Sequence, residues 1–155
     1  MISSKQCVLI FFVLLLNSIQ VLADNRETSV TYSGNVAASF TAAPDIGLTG
    51  ELTTSHGCDF GNGVFVGGSI GTCASVRRDG VYLPIALVAR YSFNQNSHSF
   101  RPFLECRTGY LTSFEHTYTL SEISLGIRVS HYSLFVTYKR YGQNDAIYYG
   151  VSWNF

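Results

Sequence analysis

The last ten residues, Ala146 to Phe155, read A-I-Y-Y-G-V-S-W-N-F. Ile147, Tyr149, Val151, Trp153 and Phe155 take every second place, with Tyr148, Gly150, Ser152 and Asn154 between them. A helix returns its apolar stripe every 3.6 residues, whereas a strand sends alternate residues to opposite faces. The period of two therefore predicts a strand with one bulky, oily face and one smaller or wetter face. The chain also ends on an aromatic residue of the oily face.

The same alternation recurs through most of the sequence. It predicts strands over Val30 to Ala42, Ile46 to His56, Gly63 to Ala74, Tyr82 to Phe93, Phe100 to Leu111, Leu120 to Ser130, Tyr132 to Tyr141 and Ala146 to Phe155. Turn residues separate them: Pro44-Asp45, the run Gly57 to Gly63, Arg77-Arg78-Asp79-Gly80, Asn94 to Ser99, Thr112 to Thr119, a tight reversal at Ser130-His131, and Gly142 to Asp145. Eight strands of this length match the roughly 9–11 residues that cross a bilayer on a tilted path. The fold class expected is all-β, an eight-stranded antiparallel transmembrane up-and-down β-barrel.

A leader precedes it. Lys5 is followed by the apolar run Cys7 to Leu16, and Val21-Leu22-Ala23 has the character of a cleavage site. Residues 1–23 are expected to be a secretory signal peptide and residues 24–155 the barrel domain. Removing Lys5 leaves nine basic against ten acidic residues, with no basic run to attract nucleic acid. Only 13% of residues are charged, against roughly a quarter in ordinary soluble domains.

A soluble eight-stranded barrel has the same alternation with its faces exchanged. Bulk tells the two apart. One parity carries Leu, Ile, Val, Tyr, Phe and Trp. The other carries Gly, Ala, Ser and Thr, together with Glu51, Arg90, Arg101, Glu105, Arg107, Glu122, Arg128 and Lys139. An eight-stranded lumen is just wide enough for side chains to fill, so the second parity is expected inside. Buried charges persist only when paired and hydrogen-bonded. These eight residues are expected to form a lumenal ladder centred on Glu51, Glu105, Glu122, Arg90, Arg107 and Arg128, acting as a plug rather than as a pore lining. The aromatics divide into two belts, Tyr32, Phe93, Phe100, Tyr132, Trp153 and Phe155 at one end and Phe40, Tyr110 and Tyr138 at the other.

Motifs for chemistry are sparse. Cys58, Cys73 and Cys106 are odd in number and lack metal-ligand spacing. They read as free thiols, with Cys58 in a turn, Cys73 inward and Cys106 outward. Ser113-Phe114-Glu115-His116 places a hydroxyl, a carboxylate and an imidazole in one loop, without a visible oxyanion donor. His56 and His131 fall at strand ends and His98 in a polar turn. The chain is expected not to be an enzyme, with no catalytic, cofactor-binding or metal residues.

Several stretches carry a family resemblance: H-G-C-D-F-G-N-G-V-F-V-G-G-S-I-G (His56 to Gly71), Y-L-P-I-A-L-V-A-R-Y-S-F (Tyr82 to Phe93), R-P-F-L-E-C-R-T-G-Y (Arg101 to Tyr110) and the terminal W-N-F. The chain resembles the small outer-membrane β-barrel proteins of Gram-negative bacteria, particularly the porin-family barrels common in Bacteroidetes. The resemblance implies an OmpX-like or OmpA-like barrel in the outer membrane with periplasmic termini. It also implies that Trp153 and Phe155 are a C-terminal signal for the insertion machinery. Porin activity is not implied at this size, and the short loops argue against cell attachment. The expectation is a monomeric integral outer-membrane protein, surrounded by lipid, with a structural or surface-interaction role. A small channel or transport protein and a secreted soluble ligand-binding barrel are the alternatives.

Overall fold

The computed structural model describes residues 30–43, 47–76, 80–93, 100–113 and 115–155. The leader, the expected turns at 44–46, 77–79 and 94–99, with His98, and the expected strand start at Ile46 lie outside them. Eight strands follow one another: β1 (Thr31–Ala43), β2 (Gly47–Asp59), β3 (Val64–Ser75), β4 (Val81–Ser92), β5 (Arg101–Thr112), β6 (Thr117–Val129), β7 (Tyr132–Tyr141) and β8 (Asn144–Asn154). Each pairs antiparallel with its neighbours, and β1 pairs with β8 to close the barrel. Closure leaves no sheet edge with unpaired backbone.

The registers define the tilt. Starting at Asn35, the rows pass through Ser55, Ser69, Ala86, Gly109, Leu120 and Tyr141 and reach β8 at Asn144. Yet Asn35 itself pairs with Asn154 across the closing seam. The stagger from Asn144 to Asn154 is ten residues, which requires strands inclined to the barrel axis.

The turns explain where strands stop. Ser130-His131 and Gly142-Gln143 are two-residue reversals, with φ of 55° at Ser130 and 58° at Gly142. Positive φ at this place matches the twist of a tight hairpin. At 60–63, Asp59 Oδ1 accepts from the Gly61 N–H at 2.9 Å and Asn62 Oδ1 accepts from the Val64 N–H at 3.1 Å. These local bonds let β2 run on to Asp59. Cys58 is therefore a strand residue, not the turn residue expected. The loops are shorter than the sequence suggests, because β6 begins at Thr117 and β8 at Asn144.

The parities fall as expected. Leu87, Leu125 and Val151 are 57%, 63% and 53% exposed on the outer wall, while Glu105 is 3% exposed within. The aromatic belts lie at opposite ends of the strands, Tyr32, Phe93, Phe100, Tyr132, Trp153 and Phe155 beside the chain's ends. Exposure departs from parity at several outer positions, Gly34 under the Phe155 ring among them. Ala89 and Cys106 are covered in a register row between Val66 and Ile123, and Val64 is covered beside its partner Tyr91.

The lumen is less uniformly small than the sequence suggests. Inward rings and aliphatics fill both halves. Cys73, Ala86, Leu111, Leu120, Tyr141, Ala146 and Tyr148 form an apolar cluster towards the β7–β8 turn, with Tyr82 and Tyr118 packed on it. Phe65, Val88 and Phe103 fill the other half.

Candidate functional site

The charged residues meet between these apolar fillings. Val88, Arg107, Glu122, Lys139 and Ala146 share one register row, so three charges of alternating sign stand side by side. Arg90 and Glu105 are partners in a neighbouring row. Strand alternation aims all of them inward.

The contacts form one continuous chain. Arg90 meets Glu105 through Nη2 and Nε, both at 2.6 Å. The other oxygen of Glu105 accepts from Arg107 Nε at 2.8 Å. Arg107 Nη1 lies 3.8 Å from Glu122 and 3.4 Å from Thr53 Oγ1. Glu122 pairs with Lys139 Nζ at 2.8 Å, and Lys139 also pairs with Glu51. The order is Arg90, Glu105, Arg107, Glu122, Lys139, Glu51, with sign alternating at each step and three charges of each kind. Rings complete the solvation. Arg90 lies over Phe65 and Phe103, 5.0 and 5.5 Å from their centroids, and Lys139 Nζ is 5.2 Å from the Tyr148 centroid. Such cation–π contacts strengthen when water is excluded.

The residual space is small. A cavity of about 10 Å³ lies among Glu51, Thr53, Arg107, Glu122, Lys139 and Tyr148. That is the scale of a single water.

Two of the eight predicted residues stand apart. Arg101 and Arg128 are register partners near the β6–β7 turn. Arg128 Nε is buried with no hydrogen-bond partner among the described residues. Arg128 was expected at the centre of the ladder, and Lys139 occupies that role instead. Arg128 is too near the strand end to reach the three carboxylates. Sequence reading missed Tyr148, Phe65, Phe103 and Thr53 as partners of the network. Alternation puts Tyr148 and Phe103 on the inward parity, but it does not say which ring lies beside which cation.

Serine, histidine and cysteine chemistry takes other forms. Ser113 Oγ accepts from the N–H groups of Glu115 and His116 at 3.4 and 3.1 Å and bonds the His116 carbonyl at 3.3 Å. The hydroxyl is thereby tied to the turn's backbone. On the outer wall, Thr54 Oγ1 donates to the Asn35 carbonyl at 3.1 Å, so it accepts from His56 Nε2 at 2.8 Å. His56 Nδ1 then accepts from the Tyr32 hydroxyl. His131 Nδ1 donates to the Asn154 carbonyl at 3.1 Å. Cys58, Cys73 and Cys106 are free thiols, Cys58 exposed and the other two buried.

The C-terminal end of β8 makes the closure. Backbone groups of Phe155 and Gly34 exchange two hydrogen bonds, each 2.9 Å. The Phe155 ring lies 5.3 Å from that of Trp153 and 5.9 Å from that of His56.

No protein-family model matches the sequence, and no curated protein matches it. Solved structures do share the fold. The outer-membrane enzyme PagL has a TM-score of 0.59 at 17% identity, over 77% of this chain and 97% of its own. Neisserial surface protein A has a TM-score of 0.54 at 15% identity, over 82% of this chain and 99% of its own. The N-terminal β-barrel domain of Pseudomonas aeruginosa OprF has a TM-score of 0.52 at 16% identity, over 82% of this chain and 100% of its own. The fold is thus the eight-stranded barrel of outer-membrane proteins. The likeness to PagL overturns the expectation that the chain is not an enzyme. An enzyme is built on this same barrel, so neither fold nor sparse motifs exclude catalysis.

Proposed function

We propose that this chain is an integral outer-membrane barrel whose lumen is closed by its own ion-pair chain, with a structural or surface-interaction role. The observation that carries the reading is the inversion of the faces. Leu87, Leu125 and Val151 are exposed outside, while Glu51, Arg90, Glu105, Arg107, Glu122 and Lys139 are buried inside. A band of large apolar side chains around a whole barrel is unfavourable in water and favourable in hydrocarbon. The aromatic belts at its two ends fit the headgroup regions. Six interlocked charges with a cavity of only about 10 Å³ among them favour a plug over a channel.

In this reading residues 1–23 are a cleaved signal peptide, both ends of the mature chain are periplasmic, and the connections that follow β1, β3, β5 and β7 face outward from the cell. Trp153 and Phe155 serve as the insertion signal, and the barrel is a monomer in lipid. The Bacteroidetes-type, OmpX-like resemblance belongs to the same reading. Two measurements test it. The mature protein should stay with membranes through carbonate extraction and run faster on gels unheated than boiled. In planar bilayers it should give no large, steady, ion-selective openings. Recovery from the soluble periplasm would reject the membrane assignment, and steady conductance would reject the plug.

A further inference from the structure

One link of the ion-pair chain differs from the rest. Arg90 meets Glu105 at 2.6 Å, Glu105 meets Arg107 at 2.8 Å, and Glu122 meets Lys139 at 2.8 Å. Arg107 Nη1 and Glu122 Oε2 stand 3.8 Å apart, an ion pair by distance but beyond hydrogen-bond reach. The other partner of that nitrogen, Thr53 Oγ1, is also distant at 3.4 Å. The strands explain the gap. Arg107 and Glu122 are register partners on β5 and β6, yet Arg107 commits its Nε to Glu105 of its own strand. The guanidinium is thereby drawn along β5 and away from β6.

The gap divides the charges. Arg90, Glu105 and Arg107 carry two positive charges and one negative; Glu122, Lys139 and Glu51 carry one positive and two negative. The cavity of about 10 Å³ lies at the join, with Thr53 and Arg107 on one side and Glu51, Glu122 and Lys139 on the other.

We propose that this cavity binds one water, which completes the chain between Arg107 and Glu122. A 3.8 Å separation is too short for a water on the line between the two atoms. It suits a water beside that line, about 2.9 Å from each. The water accepts from Arg107 Nη1 and donates to Glu122 Oε2. Its second proton goes to the Glu51 carboxylate, of which Lys139 takes one oxygen. About three hydrogen bonds to polar groups is the usual set for a buried water. An ion does not suit the charges. Three cations and three anions already cancel, a metal ion would face Arg107 and Lys139, and an anion would face Glu51 and Glu122. The inference deepens the plug reading and rests on it for its consequence. The lumen is then closed by six side chains and one water, and without the water its two halves meet only across the longest link.

The test is crystallography of the mature protein, at a resolution that shows ordered waters and with thallium(I) replacing sodium in a second crystal. The native crystal should show one water peak within hydrogen-bond distance of Arg107 Nη1 and a carboxylate oxygen of Glu122. The thallium crystal should show no anomalous peak there. Thr53→Val keeps the side chain's shape and removes the hydroxyl beside Arg107, and the water should persist in it. An empty cavity, a direct Arg107–Glu122 hydrogen bond in place of the water, or a thallium peak would overturn the proposal. Loss of the water in Thr53→Val would overturn Arg107 and Glu122 as its holders. An empty cavity in a barrel that gives no steady conductance removes the water and spares the plug. The water peak in a barrel that conducts steadily does the reverse.

Discussion

Gly150 on β8 lies in register with Phe135 on β7, and a Cβ at Gly150 would stand 2.3 Å from Phe135 Cζ. Gly126 and Phe103 repeat the relation, with a Cβ at Gly126 2.4 Å from Phe103 Cζ. All four residues, Phe103, Gly126, Phe135 and Gly150, share one inward row. Each ring lies over the glycine of the next strand, in space that a side chain there would fill.

Gly150→Ala should therefore destabilise the barrel by about 1–3 kcal/mol, the usual cost of overpacking. The equilibrium urea midpoint in lipid vesicles measures it. Phe135→Leu in the same chain should recover part of the loss by making room. Recovery distinguishes overpacking from a loss of backbone freedom at Gly150, which Phe135→Leu would not touch.

Lys139 holds two carboxylates, Glu122 and Glu51. Lys139→Met leaves Glu51 buried without its cation and Glu122 to Arg107 alone, 3.8 Å away, and should cost about 3–5 kcal/mol. Adding Glu51→Gln should cost less than the two single changes summed, because the pair acts as a unit. Arg128→Met should be close to neutral, since Arg128 Nε has no hydrogen-bond partner among the described residues and Arg101 stands beside it in register. Equal losses for Lys139→Met and Arg128→Met in vesicle unfolding would contradict the assignment of the network.

Phe155 contributes backbone and ring separately. The closing seam pairs only Asn35–Phe40 with Tyr149–Asn154, extended by the two bonds between Phe155 and Gly34. Phe155→Ala keeps those bonds and removes the ring. It should refold into vesicles in vitro with nearly normal yield and accumulate unassembled in cells. Normal assembly in cells would remove Phe155 from the insertion signal.

Much of this was legible in the chain. Leu83, Ile85, Leu87, Ala89, Tyr91 and Phe93 alternate so regularly that β4 and its two faces follow from the period alone. The count of eight strands, the faces and the tight reversal at Ser130-His131 came from the same signal. Cys58 was misplaced because two glycines and Asn62 mark a turn without saying where it starts. The side-chain bonds of Asp59 and Asn62 decide that, and they belong to the folded loop. Parity also put the charges inside without ordering them. Lys139 displaced Arg128 from the centre because the stagger of ten residues decides which rows share a level. Nothing in a single strand carries that number. The exclusion of enzymes failed for a different reason: missing motifs on a barrel shared with PagL exclude nothing.

The side of the wall occupied by the apolar residues is open to one direct measurement. Trp153 is the chain's sole tryptophan, so Trp153→Phe with Leu87→Trp moves the only indole to the middle of β4. The variant is reconstituted in vesicles, and its fluorescence is quenched either by lipids brominated deep in the acyl chains or by iodide in the water. Strong quenching by the brominated lipids with little effect of iodide is the result predicted. Quenching by iodide and none by the brominated lipids would place Leu87 against water and contradict the account.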